Sequence, residues 1–134
     1  MGIILDTSII IEYERDRLDI AEFISGRENE VFAISVISVA ELLHGVHRAD
    51  SEARRIKRTM FVEKIIDTFS IFPFDLETSR IYAKLWSDLL KDGIKIGSHD
   101  LMIGATALSK DFSVATFNKR HFDKIKELKL ELLK

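Results

Sequence analysis

The chain has 134 residues, 46% of them hydrophobic and 31% charged, which suits one domain with one core and excludes a disordered or membrane-spanning polypeptide. Its 20 basic and 22 acidic residues give a net charge of −2, so a nucleic-acid surface, if present, has to be a local patch. The absence of Cys excludes disulfides, thiolate metal sites and a cysteine nucleophile. The opening lacks the basic start and cleavage pattern of a secretion signal, and a cytoplasmic protein is expected.

The first stretch, Gly2-Ile3-Ile4-Leu5, runs apolar on both faces into Asp6-Thr7-Ser8. Such a run predicts a strand in the middle of a parallel sheet. The amphipathic Ile9 to Glu14 follows, so Asp6 marks a strand-to-helix turn. Leu18 to Ser25 predicts a second short helix, with Gly26 at its C′ position. Val31 to Ile34 is a second strand; Ser35-Val36-Ile37 leads out of it, and Ser38 opens a helix through Val46. Ala49 to Asp67 is a charged helix carrying the run Arg54-Arg55-Ile56-Lys57-Arg58. Phe69 to Phe72 is a third strand, ended by Pro73. Leu76 to Leu90 predicts an amphipathic helix, ended by Gly93. Ile94 to Gly97 is a loop, Ser98-His99-Asp100 opens a helix through Ser109, and Ser113 to Thr116 is a fourth strand. Leu130 to Leu132 offers a fifth, edge strand.

Strands alternating with helices imply a parallel sheet covered on both faces. Crossover helices run antiparallel to the strands, so helix N-termini share an edge with strand C-termini, where open α/β sheets keep their ligand sites. Asp6 ends the first strand. Glu41 is expected in the first turn after the second strand, and Asp100 in the first turn before the fourth. Thr116 and Asn118 end the fourth. All five are expected on one rim.

Four of them have a plain structural reading as well. Asp6 suits an N-cap, Ser38 with Glu41 spells a capping box, Asp100 suits a helix dipole, and Asn118 suits a turn. The convergence of three carboxylates favours a site over these. Three such charges repel one another and raise at least one pKa, and a divalent cation removes the penalty. An all-oxygen set without Cys points to Mg²⁺ or Mn²⁺ rather than Zn²⁺.

Four segments in order, Asp6-Thr7-Ser8, Ser38 to Gly45, Ser98 to Leu108 and Thr116 to Phe122, resemble the PIN-domain ribonucleases, and more closely the VapC-type toxins of toxin–antitoxin pairs. The resemblance covers nearly the whole chain. It implies one PIN-like domain over residues 1–134, a three-layer α/β/α fold on a central parallel sheet of four to five strands. It carries the metal-binding acids to Asp6, Glu41 and Asp100, a secondary hydroxyl to Ser8 and a strand hydroxyl to Thr116. The family's fourth polar position falls on Asn118, expected to hold a metal-bound water or to orient Asp100. His121 matches a variable position and receives no catalytic role. The implied activity is Mg²⁺-dependent endoribonuclease hydrolysis (Mn²⁺ as an alternative), by water and without a covalent enzyme intermediate. The implied partners are an RNA substrate, a VapB-type antitoxin and a second copy in a homodimer.

Lys95, Lys110, Lys119 and Arg120 are the expected basic rim for RNA, whereas Arg54 to Arg58 read as a solvated helix face. Leu42, Leu43, Val46, Met60 and Phe61 suit either core or an antitoxin groove. A PIN-like module that docks RNA or protein without turnover is the alternative function. An aspartyl-phosphate protein is a distant third, because Ser8 stands where such phosphatases carry a second Asp.

Overall fold

The computed structural model describes residues 2–132. Its elements are β1 (Gly2–Leu5), α1 (Thr7–Glu14), α2 (Ile20–Ile24), β2 (Val31–Ser35), α3 (Val36–His47) and α4 (Glu52–Thr68). They continue as β3 (Ser70–Phe72), α5 (Leu76–Lys91), α6 (Ser98–Lys110), β4 (Ser113–Thr116), α7 (Lys119–Phe122) and β5 (Leu130–Leu132). The strands form one all-parallel sheet in the order β3-β2-β1-β4-β5. The chain steps from β1 through β2 to β3 on one side, then crosses to build β4 and β5 on the other. The order therefore reverses between β1 and β4, and the crevice beyond their C-termini is the place where such sheets bind ligands.

The apolar run of β1 is buried on both sides because helices cover both faces. Ile3 and Leu5 point to one core, with Ile9, Ile10, Leu42, Val46, Val62 and Ile65 from α1, α3 and α4. Ile4 points to the other, with Leu101, Ile103, Ala107, Val114, Phe122 and Ile125. Ile3, Ile4 and Leu5 are all fully buried, each contributing about 1.5–3 kcal/mol of transfer free energy. Burying β1 this way anchors Asp6 at the strand's end. The turn glycines behave as the sequence implies: Gly26 (φ 80°) and Gly93 (φ 68°) follow the C-caps of α2 and α5 in the left-handed region.

Two features differ from expectation. The third helix begins at Val36, directly after β2, and its cap is Ser35, whose Oγ accepts from Ile37 N at 3.0 Å. Ser38 and Glu41 therefore form no capping box: Ser38 sits inside the first turn and Glu41 in the second. Both serines are competent caps. The ladder decides between them, because β2 pairs with β3 as far as Ser35↔Phe72, leaving Ser35 extended at the helix entrance. The second feature is α7, a single turn after β4, too short to leave a periodic signal.

Candidate active site

Asp6 follows β1 and continues its ladder, donating its backbone N–H to Ala115 O at 3.0 Å. It occupies the N-cap position of α1, yet its side chain makes no capping bond. The carboxylate is instead held by two hydroxyls. Ser8 Oγ and Thr116 Oγ1 each donate to Oδ2 at 2.8 Å. Each hydroxyl is itself fixed by a backbone donor, Phe117 N to Ser8 Oγ at 3.1 Å and Asn118 N to Thr116 Oγ1 at 2.8 Å. Asp6 is 2% exposed, so these bonds offset the desolvation of a buried carboxylate. Both donors use the same oxygen. Among the described residues, Oδ1 has no hydrogen-bond donor.

Asp100, in the first turn of α6, shows the same division. Its Oδ2 lies 3.1 Å from His121 Nδ1, and among the described residues its other oxygen has no such partner. Burial is the main cause that raises the Asp100 carboxyl above its ordinary range, and the charge of Asp6 adds to it. His121 works in the opposite direction, and Glu41 adds a smaller upward push. The charges of Asp6 and Glu41 thus both bear on Asp100.

Glu41 reaches the same place from α3. Thr7 Oγ1 bridges Ser38 Oγ and Glu41 Oε1, 2.8 Å from each, and His99 Nδ1 stands 3.5 Å from Glu41 Oε2. Ser38 is buried, so this bridge is fixed to the helix core.

The expected residues fare unequally. Asp6, Ser8 and Thr116 form one hydrogen-bonded unit, and Asp100 feels the charges of both Asp6 and Glu41. Asn118 lies beside them, but its side chain is exposed and makes no hydrogen bond among the described residues; the group that orients Asp100 is His121. Thr7, His99 and His121 are the site residues that sequence reasoning passed over. The signals were there: Thr7 lies inside the Asp-Thr-Ser run, His99 precedes Asp100, and His121 stands three residues after Asn118. In α7 that spacing becomes one turn, closed by His121 N to Asn118 O at 3.0 Å, which swings the imidazole back toward α6.

The basic rim is also redrawn. Lys95, in the loop before α6, and Lys119 and Arg120, in α7, flank the rim and are exposed; Lys119 pairs with Asp123 at 3.8 Å. Lys110 does not belong there. It closes α6, about 15 Å along the helix axis from Asp100, where it pairs with Asp75 at 3.8 Å and lies over the Phe72 ring. Conversely, Arg54, Lys57 and Arg58 line an open groove of about 880 Å³ that reaches Thr7, Glu41 and His99. Of the apolar positions that suited either core or groove, Leu42 and Val46 are buried core, Met60 is 69% exposed, and Leu42 and Phe61 also line this groove.

Among the described residues, no three His, Asp or Glu side chains already stand close enough to hold an ion. The donor chemistry nevertheless fits a hard divalent cation. The set is all carboxylate oxygen, Asp6 and Asp100 each have one oxygen without a donor among the described residues, and the repulsion felt by Asp100 is the penalty that such an ion relieves.

Residues 3–128 match the model of the PIN domain. A Rickettsia felis protein named Ribonuclease VapC1 is 39% identical over 97% of this chain and 95% of its own length. Ribonuclease VapC of Rickettsia bellii is 36% identical over the same shares. Among solved structures, VapBC2 from Rickettsia felis, bound to a DNA fragment from its promoter, superposes with a TM-score of 0.89 at 25% identity, covering all of both chains. VapBC-1 from nontypeable Haemophilus influenzae gives 0.85 at 29% identity, covering 98% of this chain and 97% of that one. With the switch-point carboxylates in place and nearly its full length matched, the chain belongs to the PIN domain family, among the VapC ribonucleases.

Proposed function

We propose that the protein is a metal-dependent endoribonuclease that hydrolyses RNA phosphodiester bonds as the toxin of a type II toxin–antitoxin pair. The observation that carries this reading is the division of labour within the carboxylates. Protein donors hold one oxygen of Asp6 and one of Asp100, and among the described residues the other oxygens have no hydrogen-bond donor.

Asp6, Glu41 and Asp100 would hold Mg²⁺, with Mn²⁺ as a substitute; when bound, the ion supplies a Lewis acid for the attacking water and for charge developing on the phosphate. The chain's own residues set the geometry. Ser8 and Thr116 lock the Asp6 side chain, since both hydroxyls are pinned by the backbone N–H groups of Phe117 and Asn118. His121 locks Asp100, and Thr7 locks Glu41. An ionised carboxylate only accepts hydrogen bonds, so Nδ1 of His121 carries the proton of its contact with Asp100. Such preorganisation removes side-chain reorganisation from the chemical step.

Two of the similar solved structures are VapBC complexes, which supports a VapB-type antitoxin as protein partner. A homodimer and a cytoplasmic location belong to the same reading. No helix among the described residues is long and apolar enough to cross a membrane.

The test is cleavage of total cellular RNA by antitoxin-free protein, with Mg²⁺ or Mn²⁺, with chelator, and with a folded Asp6→Asn variant. Discrete fragments that require both metal and Asp6 are expected. Intact RNA under every condition, from folded metal-loaded protein, would instead leave a binding module.

A further inference from the structure

The groove between α3 and α4 has a charge that the rest of the molecule lacks. Arg15, Arg48, Arg54, Lys57 and Arg58 line it against only Glu14 and Glu41, although the whole chain carries −2. Two of these cations are engaged. Arg54 Nη1 holds both Asp50 oxygens at 3.0 Å, and Arg58 donates to Gly45 O at 3.0 Å and lies 3.8 Å from Glu14. Arg15, Arg48 and Lys57 make no ion pair among the described residues. The floor is apolar, with Ile11 and the Phe61 ring, which packs on Tyr13 at 5.7 Å. The groove's lining includes Thr7 and Glu41 of the site and Arg48, the C-cap of α3, seven residues after Glu41 and so about 10 Å along the helix axis.

We infer that this groove is the track for single-stranded RNA flanking the scissile phosphate, with Arg48 and Lys57, two of its three unpaired cations among the described residues, binding phosphates. The inference rests on the ribonuclease reading for its substrate. Its observations are separate, because none of these cations belongs to the carboxylate site. An RNA cut at Glu41 has to leave the rim in some direction, and on a chain of net charge −2 a locally cationic groove favours that path. In the groove that opens from Thr7 and Glu41, five cations face two carboxylates. A cationic wall above an aromatic floor suits an unpaired strand, whose phosphates meet the wall while a base stacks on the ring.

Binding is read in chelator, so that cleavage plays no part. A short labelled single-stranded RNA of mixed sequence is titrated by fluorescence anisotropy across a salt series. The proteins are the native chain, Arg48→Ala/Lys57→Ala, and Lys110→Ala as a far-end control, with melting curves to establish folding. The double variant is expected to bind more weakly, and its log–log salt slope to become shallower by about 1.4, about 0.7 for each phosphate it no longer neutralises. The control is expected to match the native chain. An unchanged affinity and slope in the double variant would overturn the inference. So would an unchanged RNA curve alongside weakened binding of a polyglutamate probe, which would assign the groove to an acidic protein partner. Cleavage by the native protein is assayed in parallel with metal, so failure of the ribonuclease reading appears there and not in the binding curves.

Discussion

His121 Nδ1 lies 3.1 Å from Asp100 Oδ2, joining the one-turn helix after β4 to the first turn of α6. The imidazole is the group that counters the upward pull of burial and of Asp6 on the Asp100 carboxyl. Its removal leaves only causes that favour the protonated acid. His121→Ala is therefore expected to raise the Asp100 titration midpoint further in metal-free protein, as read by carboxyl-carbon NMR. It should also weaken divalent-metal binding measured by calorimetry. His121→Asn keeps an N–H donor near the Nδ1 position without the charge, so it should recover part of both effects. An unmoved Asp100 midpoint in the alanine variant would remove His121 from the positioning role.

Asp100 itself links pH to stability, and the sign follows from its raised carboxyl. Well below the ordinary value of 3.8 the acid is protonated in both folded and unfolded chains, and it costs nothing. As pH rises through that value the unfolded chain ionises first, so folding loses stability until the raised native value is passed. Asp100→Asn cannot ionise. In metal-free protein its melting temperature should equal the native one in acid and exceed it at neutral pH. A saturating divalent cation should reverse the order, since ligand at a hundredfold excess over Kd adds about 2.7 kcal/mol to a protein that binds it and the variant binds it poorly. Melting curves with chelator and with Mn²⁺, at acid and neutral pH, give all four comparisons.

The residues explain why some of this was legible in the sequence and some was not. The Gly2 to Leu5 run could satisfy its apolar faces only inside a sheet, so β1, and Asp6 at its end, were readable directly. The end of β2 was not, because Ser35 and Ser38 are both good caps and only the pairing with β3 chooses between them. Glu41 kept its place at the rim through that error, since a shift of the helix start leaves it within the first two turns. Lys110 lies off the rim for a topological reason, at the far end of α6. A crossover helix that starts at the rim with Asp100 ends away from it. The groove under Arg54, Lys57 and Arg58 depends on how α4 is rotated against α3, which Val62 and Ile65 fix by packing into the core. A charged helix with a weak apolar stripe does not announce that rotation.

Thr116 has two duties that one substitution separates from its volume. It donates to Asp6 Oδ2 and accepts from Asn118 N, both at 2.8 Å. Thr116→Val keeps the shape and removes the hydroxyl, leaving a buried carboxylate with one donor fewer. The expected cost is about 1–3 kcal/mol of stability, read by denaturant unfolding, with a fall in cleavage rate as Asp6 loses its fixed orientation. Thr116→Ser should restore most of both. A valine variant with native stability and native rate would show that Ser8 alone suffices to hold Asp6.

Thr7 ties Glu41 at the rim to the core. Its hydroxyl bridges the buried Ser38 and the Glu41 carboxylate, 2.8 Å from each, so its loss has a structural and a functional consequence at once. Thr7→Val strands the Ser38 hydroxyl in an apolar surrounding, a cost of about 1–3 kcal/mol, and lets the Glu41 side chain leave the site. Pairing the substitution with Ser38→Ala separates the two. The double variant has no stranded hydroxyl and should regain much of the stability, because removing both partners of a buried bond costs far less than removing one. Metal affinity should stay low in both variants, since neither restores the donor to Glu41. If affinity returned along with stability, Thr7 would serve packing alone, and Glu41 would be positioned by its helix without help.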